Sequence, residues 1–316
     1  MKTKIFVIGA KGLLGSNIVK ANDKKYSFFE GYNQALGNSK KSDSIKVDIT
    51  KFEDCEKILK IDPDIIIHTA AITDVDYCEQ NKKKAYSVHV LGTQNLCKIA
   101  KKLNCKIIYI STDFVFSGNC INNKEDDVPK PLNYFGKTKL EAENEIKKLD
   151  NHLILRTNVL YGFETSNSIK SRSNYTKSMN FVLWVLSKLN KNEQIRIVND
   201  QFSNPTLVDN LVNIIYDCIE KNLTGIYHAT DLTCINRYEF TKKIAKIFGY
   251  DKNLITSVSS NDFNQFAKRP LLTCLDCSKI IKEGIKIHEM DSSLNRLYEQ
   301  IKKLEPELIS NSKNIF

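Results

Sequence analysis

Seven residues near the amino terminus, Gly9-Ala10-Lys11-Gly12-Leu13-Leu14-Gly15, constrain this chain more than any others. They follow an apolar stretch, Lys4-Ile5-Phe6-Val7-Ile8, of the length of a buried strand. They lead into Leu13, Leu14, Ile18 and Val19, whose spacing is helical. Glycines between a strand and a helix let the backbone turn tightly and approach a ligand. The first N–H groups of the helix and the positive end of its dipole then face that ligand. Such an arrangement holds a pyrophosphate, so Gly9, Lys11, Gly12, Leu13, Leu14 and Gly15 are candidate binding residues. A glycine pattern alone is weak; its place between strand and helix gives it weight.

The rest of the chain repeats the alternation. Asp64-Ile65-Ile66-Ile67, residues 106–110 and Leu153-Ile154-Leu155 read as buried strands. Ala85, Val88, Gly92, Leu96, Ile99, Ala100 and Leu103 recur at helical spacing, and a further helix begins near Tyr134. Strands alternating with helices call for a parallel sheet covered on both faces, an α/β fold of the Rossmann-type doubly wound kind. Residues 163–178, rich in Ser, Asn, Thr and Lys, break the pattern and read as a mobile loop over a site. Helices at 181–189, 209–220, 237–248 and 293–304 and a strand at 194–198 make the last third mostly helical. The expected division is a dinucleotide-binding domain of residues 1–160 with a returning segment at about 194–228. A smaller substrate-binding lobe takes about 161–193 and 229–316. At 316 residues and 41% hydrophobic, the chain has enough core for both.

No run of eighteen apolar residues occurs, and the amino terminus carries no cleavable signal pattern, so a cytoplasmic protein is expected, with no membrane partner. The nine cysteines are scattered and read as reduced thiols; Cys274-x-x-Cys277 lacks two further ligands nearby, so no metal is expected. The net charge of +10 is spread along helix faces without interleaved aromatics. That pattern argues against nucleic acid and for an anionic small substrate. A homodimer is compatible with the sequence, which does not fix the oligomeric state.

Ser111-Thr112-Asp113-Phe114-Val115-Phe116-Ser117-Gly118 follows a strand, which puts its hydroxyls at the carboxyl end of the sheet, where ligands bind in such folds. This stretch resembles the Ser-Thr-Asp-Tyr-Val-Phe-x-Gly segment of dTDP-4-dehydrorhamnose reductases, a family of extended short-chain dehydrogenases/reductases. Ala70-Ala71-Ile72-Thr73-Asp74-Val75-Asp76, Pro131-Leu132-Asn133-Tyr134-Phe135-Gly136-Lys137-Thr138-Lys139-Leu140, Asp200-Gln201-Phe202-Ser203-Asn204-Pro205-Thr206, Arg269-Pro270 and Leu275-Asp276 match in the same order. The glycine spacing resembles the same fingerprint. The resemblance implies NADPH or NADH as cofactor, with Asp48 and Ile49 beside the adenine and Ala70 and Ala71 also on the cofactor. It implies a nucleotide-sugar substrate touched by Thr73, Val75, Asp76, Thr112, Asp113, Phe114, Asn158 and Arg269. Glu30, near the end of the second strand, is either an acceptor for a ribose hydroxyl or a solvated carboxylate.

In that family Thr, Tyr and Lys reduce a ketosugar: Tyr protonates the carbonyl oxygen, and Lys holds the nicotinamide ribose and lowers the Tyr pKa. Thr112 and Lys139 match the outer two. Four residues before Lys139, one helical turn away, stands Phe135, which has no proton to give. Tyr134 is rotated by about 100° from that position and reads as a packing or surface residue. Phe114 and Val159 stand where the family usually has Tyr and often has Trp. Three readings follow: a ketosugar reductase, active or slowed; a nicotinamide-binding regulatory subunit similar to the β subunit of methionine adenosyltransferase; or an epimerase, which would need the same missing hydroxyl. His68 reads as a core residue without a catalytic role.

Overall fold

The computed structural model describes residues 2–21, 24–33, 43–163 and 179–310. Strand β1 (Thr3–Ile8) sends Ile5 and Val7 to one face and Phe6 and Ile8 to the other, all at 2% exposure or less. A strand buried on both faces belongs in the middle of a parallel sheet. β1 lies there, with β2 (Tyr26–Tyr32) and then β3 (Ser44–Lys46) on one side. On the other side come β4 (Ile65–His68), β5 (Lys106–Thr112), β6 (His152–Thr157) and finally the strand Gly225–His228. All seven run parallel. Strand order reverses between β1 and β4, which opens a crevice at their carboxyl ends.

Helices cover both faces. Leu13–Lys20 and Val208–Glu220 pack against Ile5, Val7, Ile67 and Leu155. Gly92–Leu103 and Tyr134–Ile146 pack against Phe6, Ile66, Ile107 and Ile154. The helix expected over 85–103 is continuous but not uniform. Lys82–Tyr86 passes through a π turn, Ser87–Leu91, before Gly92–Leu103, which ends at Asn104 in the left-handed conformation. Single π turns often mark functional positions. This one carries His89, whose Nε2 accepts from Ile72 N–H at 2.9 Å.

A second core lies beyond the sheet, where helices Phe181–Leu189, Arg237–Phe248 and Met290–Leu304 enclose Leu186, Phe240, Phe248 and Leu297. The strand Ile195–Val198, expected to return to the dinucleotide-binding domain, pairs instead with Ile255–Val258, and Ile195 and Ile197 pack in this second core. The return is made by Val208–Glu220 and Gly225–His228. Apolar alternation identifies a strand but not its partner, which accounts for the difference. Residues 164–178, most of the expected loop over the site, lie outside the described residues.

Cysteines need a correction. Cys234 and Cys274 form a disulfide, their Cα atoms 5.6 Å apart, while the other seven are free and all but Cys120 are buried. The pair is 40 residues apart in sequence and meets only through folding, so spacing gave no sign of it. Among the described residues, no helix is long and apolar enough to cross a membrane.

One buried ion pair ties the layers together. Arg156 on β6 gives its Nε and Nη2 to Glu143 at 3.0 and 2.8 Å, and Ser111 on β5 donates to the same carboxylate at 2.5 Å. Both charged side chains are at most 1% exposed. Removing one partner of such a pair strands the other charge in a dry interior, at about 3–5 kcal/mol. Arg156→Met is therefore expected to lose about that much stability in urea unfolding; a loss under about 1 kcal/mol would show the pair to be dispensable.

Candidate active site

At the carboxyl ends of β1, β4, β5 and β6, between the sheet and the second core, lies a cavity of about 1330 Å³. The glycine turn forms its floor. Gly9 has φ +83°, and a Cβ there would stand 2.7 Å from Thr69 Oγ1 and 2.8 Å from Ala70 N. A Cβ on Gly15 would collide with the Gly9 carbonyl, so these two glycines let the helix sit on the strand end. Gly12 differs: a Cβ there meets only the Gly9 oxygen, at 3.3 Å, and otherwise open space. It caps the helix in an extended conformation without a side-chain bond, and Leu13 and Leu14 line the cavity beside it. An uncapped helix start facing a cradle of this kind fits the pyrophosphate of a nicotinamide dinucleotide.

Beyond the turn, the cavity runs past Asp48, Ile49, Ala70 and Ala71. Asp48 Oδ1 accepts from Thr50 N–H and Oγ1–H at 3.0 and 2.7 Å and braces its own turn. Glu30 is 6% exposed, so the solvated reading of it fails. Its carboxylate takes Lys11 Nζ at 2.6 Å.

At the other end stand the groups of the motif after β5. Thr112 closes the strand, and Phe135 and Lys139 project from Tyr134–Ile146, whose start is capped by the Asn133 side-chain oxygen Oδ1 accepting from Gly136 N–H at 2.9 Å. One helical turn apart, Phe135 and Lys139 share a face and reach the same cavity. Lys139 Nζ donates to the Ile110 carbonyl at 2.7 Å and lies 4.1 Å from the centre of the Tyr109 ring. Burial pushes its pKa down to about 7, against a smaller opposing pull from Glu143. Phe135, 8% exposed, meets the rings of His89 and Phe114 edge to face. Tyr134 does not line the cavity; Lys82 lies over its ring.

Thr73, Val75, Asp113, Phe114, Asn158 and Arg269 also face the cavity. Asp76 does not: it grips Arg269 through two bonds of 2.7 and 2.9 Å, so it orients the guanidinium that does. His68, in the core, shares a bond with Thr93 Oγ1 at 3.1 Å, and burial holds it neutral. Sequence reading missed Arg237, Gln201 and Trp184 on the cavity wall. Arg237 opens a helix after the Asn236 cap, and Trp184 lies in an apolar helix, positions that carry no local sign of a ligand. Gln201 lies within the Asp200–Thr206 motif, and that match was the available signal.

The family model described as the RmlD substrate binding domain matches residues 3–303. The chain belongs to this family. It is 30% identical over 294 residues to the dTDP-4-dehydrorhamnose reductase of Aggregatibacter actinomycetemcomitans, covering 88% of this chain and 92% of that one. The Xenopus tropicalis methionine adenosyltransferase 2 subunit beta is 29% identical over 296 residues, 89% of this chain and 83% of that one. Among solved structures, the Bacillus anthracis dTDP-4-dehydrorhamnose reductase in complex with NADP superposes with a TM-score of 0.84 at 28% identity, over 95% of this chain and all of that one.

Because Gly12 alone of the three glycines has room for a side chain, Gly12→Asp is expected to fold normally and to place a carboxylate where the pyrophosphate would lie. NADPH affinity, read by fluorescence titration, should fall at least about tenfold, like charges in one cradle being worth about 1.4 kcal/mol or more. Unchanged affinity would put the cofactor elsewhere.

Proposed function

We propose that this protein reduces a nucleoside-diphosphate 4-keto-6-deoxysugar with NADPH or NADH, as a slowed member of the RmlD reductases. One observation carries the reading: Thr112, Phe135 and Lys139 meet in the cavity that begins at the glycine turn, in the arrangement the family motif implies, with only the phenolic oxygen missing. Reduced nicotinamide would supply hydride. Lys139, anchored on Ile110, would hold the nicotinamide ribose, and Gly9 to Gly15 the pyrophosphate. Arg269, steadied by Asp76, would face the substrate's negative charge, with Thr73, Val75, Phe114 and Asn158 around the sugar. Residues of both cores line the cavity, which supports a cofactor domain and a substrate lobe meeting at the site.

The second reading, a nicotinamide-binding regulatory subunit, draws support from Phe135 and from the resemblance to methionine adenosyltransferase 2 subunit beta. Under the reductase reading, Phe135→Tyr restores an acid one turn from Lys139 on a wall that already faces the cavity. Oxidation of NADPH with a dTDP-4-keto-6-deoxyhexose should speed up by about 10² or more. No gain on any such ketosugar, with NADPH still bound, would refute the reductase reading and leave the regulatory one.

A further inference from the structure

We propose that Thr112 protonates the substrate oxygen in place of the missing phenol, and that Asp113 behind it is the positioning residue that resupplies its proton. The proposal rests on the reductase reading. It starts from the single hydrogen of a hydroxyl. Thr112 Oγ1 donates to Asp113 Oδ1 at 2.9 Å and accepts from Phe114 N–H at 3.2 Å. With Asp113 ionised, that hydrogen is engaged and cannot face a substrate. With Asp113 protonated, the carboxyl donates to Thr112, both lone pairs of the hydroxyl are filled, and its own hydrogen is free for the cavity.

Asp113 is built for the protonated form. It is 2% exposed, and its second oxygen, Oδ2, is buried without a hydrogen-bond partner. Burial pushes the carboxyl up to about 6, against the opposing pulls of Thr273, Thr112 and Arg237. Arg237, at the start of Arg237–Phe248, is the cation nearest in effect; Arg269 and Lys139 stand elsewhere on the same wall.

Bound in its reduced form, the nicotinamide would supply the hydride that forms the C–H bond at the carbonyl carbon while itself being oxidised. The carbonyl π pair moves to oxygen, which takes the Thr112 proton. Thr112 Oγ takes the Asp113 proton in turn, leaving a carboxylate that Arg237 balances. The ketone is reduced, the nicotinamide is oxidised, and Asp113 regains a proton from water after product leaves.

Two measurements test this. In the cofactor-free chain, the infrared carbonyl band of protonated carboxylic acids should fade with a midpoint near pH 6, and Asp113→Asn should remove one carboxyl's share of it, the rest belonging to Asp231, which burial also pushes up to about 6. In assays with NADPH and a dTDP-4-keto-6-deoxyhexose, kcat/KM of the unaltered chain should fall at least about 50-fold from pH 6 to pH 8 as that acid ionises. Asp113→Asn and Thr112→Val should be slow and keep only the fall of about tenfold that Lys139, pushed down to about 7, contributes as it loses its charge. Phe135→Tyr should restore the rate most at pH 8, and Asp113→Asn added to it should keep most of the gain. If Asp113→Asn fails to fold, Thr112→Val, of the same volume, carries the test. A fall of about 50-fold or more that survives either change overturns the proposal while the reductase reading stands; inactivity of Phe135→Tyr overturns both.

Discussion

The close seat of the first helix on the end of β1 is the contact from which the rest of the site is set out. It exists because neither Gly9 nor Gly15 carries a Cβ: one would strike Thr69 and Ala70, the other the Gly9 carbonyl. Backbone in direct contact fixes the helix start relative to β4, and so relative to Ala70 and Ala71. The reversal of strand order at that point holds the sheet open above them. The backbone at this end of the cavity is therefore set by direct main-chain contact. A cradle of backbone N–H groups needs no rotamer to be chosen, which keeps the ordering cost of binding small.

The far end of the cavity is organised by side chains. Glu143 takes Arg156 and Ser111 within a dry interior and lies on the helix that carries Phe135 and Lys139. Lys139 is buried with a carbonyl and a ring as its near neighbours, so desolvation outweighs the Glu143 charge. An ammonium poised near neutrality, beside Phe instead of Tyr, has no phenol left to acidify. Under the proposed reductase reading, it would still hold a ribose, and protonation would fall to a hydroxyl at the carboxyl ends of the strands.

How much of this was legible beforehand depended on range. β1, the glycine turn and the helix after it follow from residues adjacent in sequence, and the one-turn spacing of Phe135 and Lys139 put both on one wall. Pairings across the chain were not legible. Ile195 and Ile197 alternate like any half-buried strand, and nothing local says that Ile255–Val258 is the partner. Cys234 and Cys274, Lys11 and Glu30, and Asp76 and Arg269 meet only once the chain has folded. Sequence alone left Glu30 between a ribose acceptor and a solvated carboxylate; a lysine from the glycine turn covers it.

Val159 lies on the cavity wall with φ +38°, in the left-handed region that a β-branched side chain strongly resists. Such a backbone stores about 1–3 kcal/mol, held in place by its surroundings. Here the chain on either side is pinned: Thr206 N–H donates to the Val159 carbonyl at 3.3 Å, and Asn158 is buried. The wall that would face a sugar is therefore a loaded position in the evolutionary sense. Glycine, asparagine or aspartate could enter at 159 with relief of the backbone, whereas another branched residue would gain nothing. Drift in what this pocket accepts is biased toward side chains that are smaller or more polar, and this bias comes from the main chain before any substrate selects among them.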